Sequence, residues 1–108
     1  IKRINKIAQH YKLVNVNFGH AGDGNIHTNL MINKDNPDEV KRAEQAVKEI
    51  FEATLELGGT ISGEHGIGIT KAPYLEMDIG THNRTLMKNL KSLLDPHNIL
   101  NPGKLSLS

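Results

Sequence analysis

Side chains able to do chemistry gather at two glycine-rich clusters. His20 and His27 flank GHAGDGN (19–25), and Glu64 and His65 sit within GEHGIG (63–68). Histidine is the commonest metal-binding side chain and carboxylates are its usual oxygen partners, so these four groups are candidates for holding a divalent cation. A neutral imidazole can also accept a proton near neutral pH. Asn29 lies two residues beyond His27 on the same side of an extended chain, so it addresses the same space. Asp23, within GDG, reads as a turn former that hydrogen-bonds its own backbone. His10, His82 and His97 stand outside both clusters and read as structural or surface residues.

Competing chemistries find little support. Both clusters read G-x-x-G-x-G (Gly19, Gly22, Gly24; Gly63, Gly66, Gly68) rather than the G-x-G-x-x-G of a dinucleotide loop. Lys71 follows Thr70, not glycine, so no P-loop is present, and Lys71 is assigned no role beyond that of a surface lysine. H-E-x-x-H and G-x-S-x-G are both absent. With no cysteine, thiolate zinc sites, iron–sulfur clusters, disulfides and cysteine nucleophiles are excluded.

Composition narrows the class further. Thirteen Lys/Arg against twelve Asp/Glu give no basic field for gripping nucleic acid. No apolar run approaches the ~20 residues that span a bilayer. No signal-peptide pattern opens the chain, so the expected location is the cytoplasm, with peripheral association at the inner face of a membrane left open. With 108 residues the chain is one domain or part of one. It opens on Ile1 rather than methionine, which suggests a piece of something longer.

The elements that must position the clusters can be read from periodicity. Ile1, Ile4, Ala8 and Tyr11 give a helix over 1–12. Residues 13–18 alternate, with Val14, Val16 and Phe18 on one face and Asn15 and Asn17 on the other. Residues 26–32 alternate again, with Ile26, Thr28, Leu30 and Ile32 opposite His27, Asn29 and Met31. The two runs form a hairpin around a seven-residue glycine-rich link. Alternation alone puts His20 with Val16 and Phe18, away from His27. Convergence then requires the strand to break at Gly19 and the turn to redirect His20.

Residues 37–57 form the firmest helix: Asn36 caps it, Pro37 suits its first position and Glu39 completes a capping-box-like pattern. Val40, Ala43, Val47, Ile50, Phe51 and Thr54 form its stripe, and Gly58 stops it. A short strand over about 59–62 and a last helix over 82–94, ended by Pro96, complete the order α-β-β-α-β-α. The expected fold class is α+β: a ferredoxin-like antiparallel sheet with helices on one face, truncated at the N-terminal side because the first strand of that unit is missing. The vacant sheet edge invites homo-oligomerisation.

Three blocks, GHAGDGNIHTN (19–29), SGEHGIGITK (62–71) and DPHNILNPGK (95–104), resemble the C-terminal domain of the FAD-linked 2-hydroxyacid dehydrogenases and oxidases. This group includes the glycolate oxidase flavoprotein subunit, D-lactate dehydrogenase and D-2-hydroxyglutarate dehydrogenase. The resemblance covers most of the chain from residue 19 onward, and residues 1–108 then read as one segment of the cap, or substrate, domain. The FAD-binding domain of such proteins is absent from this chain and would be its partner.

The resemblance implies roles by position. His20, His27 and Glu64 match metal ligands, with zinc expected before manganese or iron. His65 matches the catalytic base, and Asn29 a polar residue facing the substrate. Asn101 falls where the C-terminal turn approaches the flavin. The implied reaction oxidises a small D-2-hydroxy acid, such as glycolate or D-lactate, to the 2-oxo acid with hydride transfer to FAD; the electron acceptor is unassigned. The isolated chain is expected to be inactive and to hold no stoichiometric FAD. Two other readings stand beside this one: a stand-alone metal-dependent hydrolase with His65 or Asp23 as base, and a non-catalytic oligomerisation module whose glycine clusters only shape turns.

Overall fold

A computed structural model of the chain describes residues 1–63 and 65–107. They divide into two units, Ile1–Gly59 and Thr60–Ser108. In the first, helix α1 (Lys2–His10) leads into strand β1 (Val14–His20), a 3-10 turn (Ala21–Asp23), strand β2 (Asn25–Met31) and helix α2 (Pro37–Glu56). The expected two strands and two helices are therefore present, and the class is α+β. Among the described residues the sheet consists of β1 and β2, paired antiparallel.

The strands extend further into the glycine cluster than alternation suggests. β1 runs through Gly19 to His20, so the link shrinks to the four residues 21–24. Gly19 makes this possible. Its φ is +148°, and a Cβ there would sit 2.2 Å from the Asn25 carbonyl oxygen. Only glycine lets the facing backbone come so close.

The register pairs Val14 with Met31, Val16 with Asn29, Phe18 with His27 and His20 with Asn25. Leu30 faces the helices, packed with Ile7, Tyr11 and Ile32 against a buried cluster of Leu13, Ala43 and Ala46. Asn15 and Asn17 share that side with Thr28 and Leu30. Their amides are satisfied there: Asn15 and Asn17 donate to Asn5 Oδ1 of α1 at 2.8 and 3.0 Å, and the Thr28 hydroxyl donates to Asn17 Oδ1 at 2.9 Å. The apolar residues of β1 face the other way and are open to solvent. Val14 is 67% exposed, Val16 48%, Phe18 54% and their neighbour Met31 60%.

α2 begins as expected. Asn36 Oδ1 accepts from the amides of Asp38 and Glu39, and Pro37 occupies the first helical position. Glu39 does not close a capping box on Asn36; its carboxylate accepts from the Asn33 amide at 2.7 Å. Burial falls on Ala43, Ala46, Ile50 and Ala53, a stripe rotated toward the alanines. Tyr11 donates from its hydroxyl to Glu49 at 2.8 Å, and this bond to a carboxylate raises its pKa.

In the second unit the expected strand over 59–62 is not formed. The Ile61 backbone finds side-chain partners instead of a ladder: its amide donates to Asp78 Oδ2 at 3.3 Å and its carbonyl accepts from Lys71 Nζ at 3.1 Å. Helix α3 spans Leu75–Leu94, longer than the expected 82–94 because a first turn precedes a kink at Gly80 (φ 78°, ψ 166°). Glu76 bridges the kink, accepting from Thr81 Oγ1 at 2.6 Å and from Arg84 at 2.9 Å. The Thr81 hydroxyl, then the Arg84 guanidinium, hold the Glu76 carboxyl below the usual range. Among the described residues no helix is long and apolar enough to cross a membrane.

Candidate functional site

The hairpin positions three of the candidate groups by register. In an antiparallel ladder, residues two apart on one strand share a face with their partners. Phe18 is opposite His27 and His20 opposite Asn25, so His20, His27 and Asn29 occupy one face as neighbours across the two strands. The sequence reading placed His20 on the face away from His27 and required a break at Gly19. The structure corrects both points. β1 continues through Gly19, and the register itself puts Val14, Val16, Phe18 and His20 on the side of His27.

Phe18 is a site residue that sequence reasoning missed. Its ring stacks on the His27 imidazole with centroids 5.1 Å apart and 24° between planes. The contact covers one face of the imidazole. A seven-residue link leaves the facing residues open, whereas the four-residue link of the structure dictates which residues stand opposite each other.

The other candidate groups belong to the second unit. His65 is exposed within the glycine cluster, between Gly63 and Gly66. Glu64 lies outside the described residues. Ser62 Oγ accepts from the Gly66 amide at 2.8 Å, and Gly66 and Gly68 adopt φ values of +81° and +60°. The Leu105 amide donates to the Gly68 carbonyl at 2.7 Å, which ties the segment after Asn101 to the cluster carrying His65. Asn101 is exposed, with φ +45°.

The block before Asn101 is organised by one carboxylate. Asp95 accepts from Lys91 Nζ and from the amides of Ile99 (3.0 Å) and Leu100 (2.9 Å). The Lys91 ammonium, then the Ile99 amide, hold its carboxyl down at about 2.

Two imidazoles on one face supply a donor pair that suits a divalent cation. Among the described residues no group of three or more His, Asp or Glu side chains is placed to hold a metal ion, and the expected carboxylate donor, Glu64, is not one of those residues. A cavity of about 310 Å³ in the first unit is lined by His10, Tyr11, Lys12, Asp38 and Arg42. His20, His27 and Asn29 do not line it; they stand on the outer face of the hairpin.

A family model described as "FAD linked oxidases, C-terminal domain" matches residues 1–105. The chain belongs to this family. Glycolate oxidase subunit GlcD of Bacillus subtilis (strain 168) is 54% identical over 105 residues, which are 97% of this chain and 22% of that protein. The mitochondrial D-lactate dehydrogenase (cytochrome) of Arabidopsis thaliana is 42% identical over 86 residues, 80% of this chain and 15% of that protein. A D-2-hydroxyglutarate dehydrogenase of Xanthomonas citri pv. viticola is 42% identical over 94 residues, 82% of this chain and 19% of that protein. The family segment described here thus spans 15–22% of the length of these relatives.

Proposed function

We propose that this FAD-linked oxidase segment is the metal- and substrate-binding part of a flavin-dependent dehydrogenase that oxidises a D-2-hydroxy acid, such as glycolate or D-lactate, to the 2-oxo acid. The observation that carries the reading is the shared sheet face of His20, His27 and Asn29, bordered by exposed Val16, Phe18 and Met31. Membership in a family named for FAD, and relatives named for glycolate, D-lactate and D-2-hydroxyglutarate, support the reaction class.

In this reading His20, His27 and Glu64 would hold a divalent ion, zinc before manganese or iron, which would supply Lewis acidity toward the substrate hydroxyl and carboxylate. FAD, bound mainly by a further domain, supplies the hydride acceptor. Asn29 donates through Nδ2 to a substrate oxygen and fixes which face of the hydroxy acid is presented. His65 takes the hydroxyl proton on a ring nitrogen as the C2–H bond breaks. The exposed apolar residues around the imidazoles provide a surface that excludes water once covered, which strengthens every polar interaction on that face. Asn101 would be the residue of this chain that approaches the flavin.

The test is metal analysis and turnover on a panel of D-2-hydroxy acids with the full-length protein. His20→Ala, His27→Ala and Glu64→Ala each lower bound metal and turnover together, and His65→Gln lowers turnover with metal retained. Unchanged metal and turnover in the three ligand variants would reject the reading. The 108-residue chain alone turns over no hydroxy acid and holds no stoichiometric flavin; a flavin absorbance band in the purified chain would contradict that part.

A further inference from the structure

The second glycine cluster is held by charged side chains outside the three family blocks or at their margin. Both polar groups of the Ile61 backbone are engaged by ions of opposite sign: the amide by Asp78 Oδ2 at 3.3 Å and the carbonyl by Lys71 Nζ at 3.1 Å. The same Asp78 oxygen accepts from the Thr60 hydroxyl at 2.6 Å. The Ile61 side chain is only 5% exposed, so the residue is anchored through its side chain as well as its backbone. One residue further on, Ser62 Oγ takes the Gly66 amide at 2.8 Å. His65 therefore sits on a segment whose start is gripped by Lys71 and Asp78 and whose following residue is tied back to Ser62.

Such an arrangement does what a strand ladder does elsewhere. Gly63, Gly66 and Gly68 give the segment freedom, and Gly66 and Gly68 use it in left-handed conformations. Glycine widens the conformations open to a backbone, so a side chain carried on a glycine-rich segment stays in register with a substrate only where the chain is fixed. Charge-assisted bonds to a single backbone unit are stronger than neutral ones and leave little room for sliding.

We infer that Lys71 and Asp78 are positioning residues: they grip the Ile61 backbone and, through it, hold the loop that presents His65. The inference rests on the reading of His65 as the proton acceptor. Neither side chain touches the reacting atoms; both act through the backbone.

The experiment uses the full-length flavoprotein with Lys71→Met, Lys71→Arg, Thr60→Val and His65→Gln. It reads kcat and KM on the preferred D-2-hydroxy acid, flavin content, and hydrogen exchange of the 60–66 amides. Lys71→Met lowers kcat about 10- to 100-fold with KM within about threefold, flavin content unchanged and exchange of the 60–66 amides accelerated. Lys71→Arg, which still donates to the Ile61 carbonyl, restores kcat to within about fivefold of the parent. Thr60→Val, at an exposed position, removes one bond to Asp78 and lowers kcat about two- to fivefold, so the inference stays testable if the methionine variant misfolds. Accelerated exchange with kcat unchanged overturns the inference, because the grip would then be structural only. A kcat loss that arginine does not rescue also overturns it. His65→Gln separates the two readings: full turnover in that variant rejects His65 as the base, whereas a silent His65→Gln enzyme beside an unaffected Lys71→Met enzyme rejects the positioning role alone.

Discussion

The two glycine clusters present histidines by different physical means. At the first, backbone pairing does the work: seven cross-strand partners from Val14↔Met31 to His20↔Asn25 set which side chains share a face. At the second, side chains do it, with Lys71, Asp78 and Ser62 gripping a segment that has no strand partner among the described residues. A ladder fixes direction through many cooperative bonds, so one failure can shift the whole set. A side-chain grip fails locally. The contrast predicts that damage at the first cluster spreads along the hairpin and damage at the second stays within the loop.

The sharpest way to break the first mechanism is Gly19→Val. The new Cβ meets the Asn25 carbonyl oxygen at 2.2 Å and the φ of +148° disfavours any side chain. The expected cost is roughly 1–3 kcal/mol for the backbone strain alone, with more from the overlap. Hydrogen exchange across Val14–Met31 should rise as a block, and bound metal should fall with it. If exchange rises only at residues 19–25, pairing is not what sets the face.

These contrasts also explain how much was legible in the sequence. Helix α2 was, because Asn36 and Pro37 mark its start by local chemistry and Gly58 marks its stop, whereas the first turn of α3 and its kink at Gly80 were not. The hairpin was legible too, but not its inner face. Val14, Val16 and Phe18 look like core, and nothing local reveals that Asn5 on α1 offers one amide oxygen to both Asn15 and Asn17. A polar network between distant residues outweighed hydrophobic alternation in this segment. The expected strand at 59–62 failed for a related reason: Ile61 satisfies its backbone with side chains ten and seventeen residues away. Motif spacing identified the candidate residues, whereas the route by which His20 joins His27 needed the register.

Removing the polar network tests that account. Asn5→Ala takes away the acceptor for two amides, and the bonds it removes are partly solvent-exposed, so a loss of about 1 kcal/mol is expected in thermal or denaturant unfolding. Asn15→Val with Asn17→Val makes both faces of β1 apolar and weakens the choice between them. The double variant should broaden the hairpin amide resonances; sharp, unchanged resonances would mean that the helices alone choose the face. Phe18→Ala is milder. It removes the stack on His27, worth about 0.5–1.5 kcal/mol, and should weaken metal binding a few-fold without disturbing exchange along the hairpin.

The smallest effect lies in the C-terminal block, where one carboxylate plays the role that several residues share at the second glycine cluster. Asp95 is held at about 2, below its usual 3.8, first by the Lys91 ammonium and then by the Ile99 amide. A carboxylate whose folded-state pKa is depressed stabilises the fold above its unfolded value. That contribution fades as pH falls from the ordinary carboxylate range through about 2. The turn before Asn101 should therefore stay ordered at neutral pH and loosen only in strong acid, with the Ile99 and Leu100 amides losing protection together. Lys91→Met should raise the Asp95 midpoint toward its usual value and move that loosening to higher pH, readable by NMR titration of the carboxyl carbon. A midpoint that stays near 2 in the variant would assign the turn to the backbone amides alone. Asn101, which follows Leu100 directly in a left-handed conformation, would then owe its placement to the bonds from the Ile99 and Leu100 amides to the Asp95 carboxylate and not to the Lys91 ammonium.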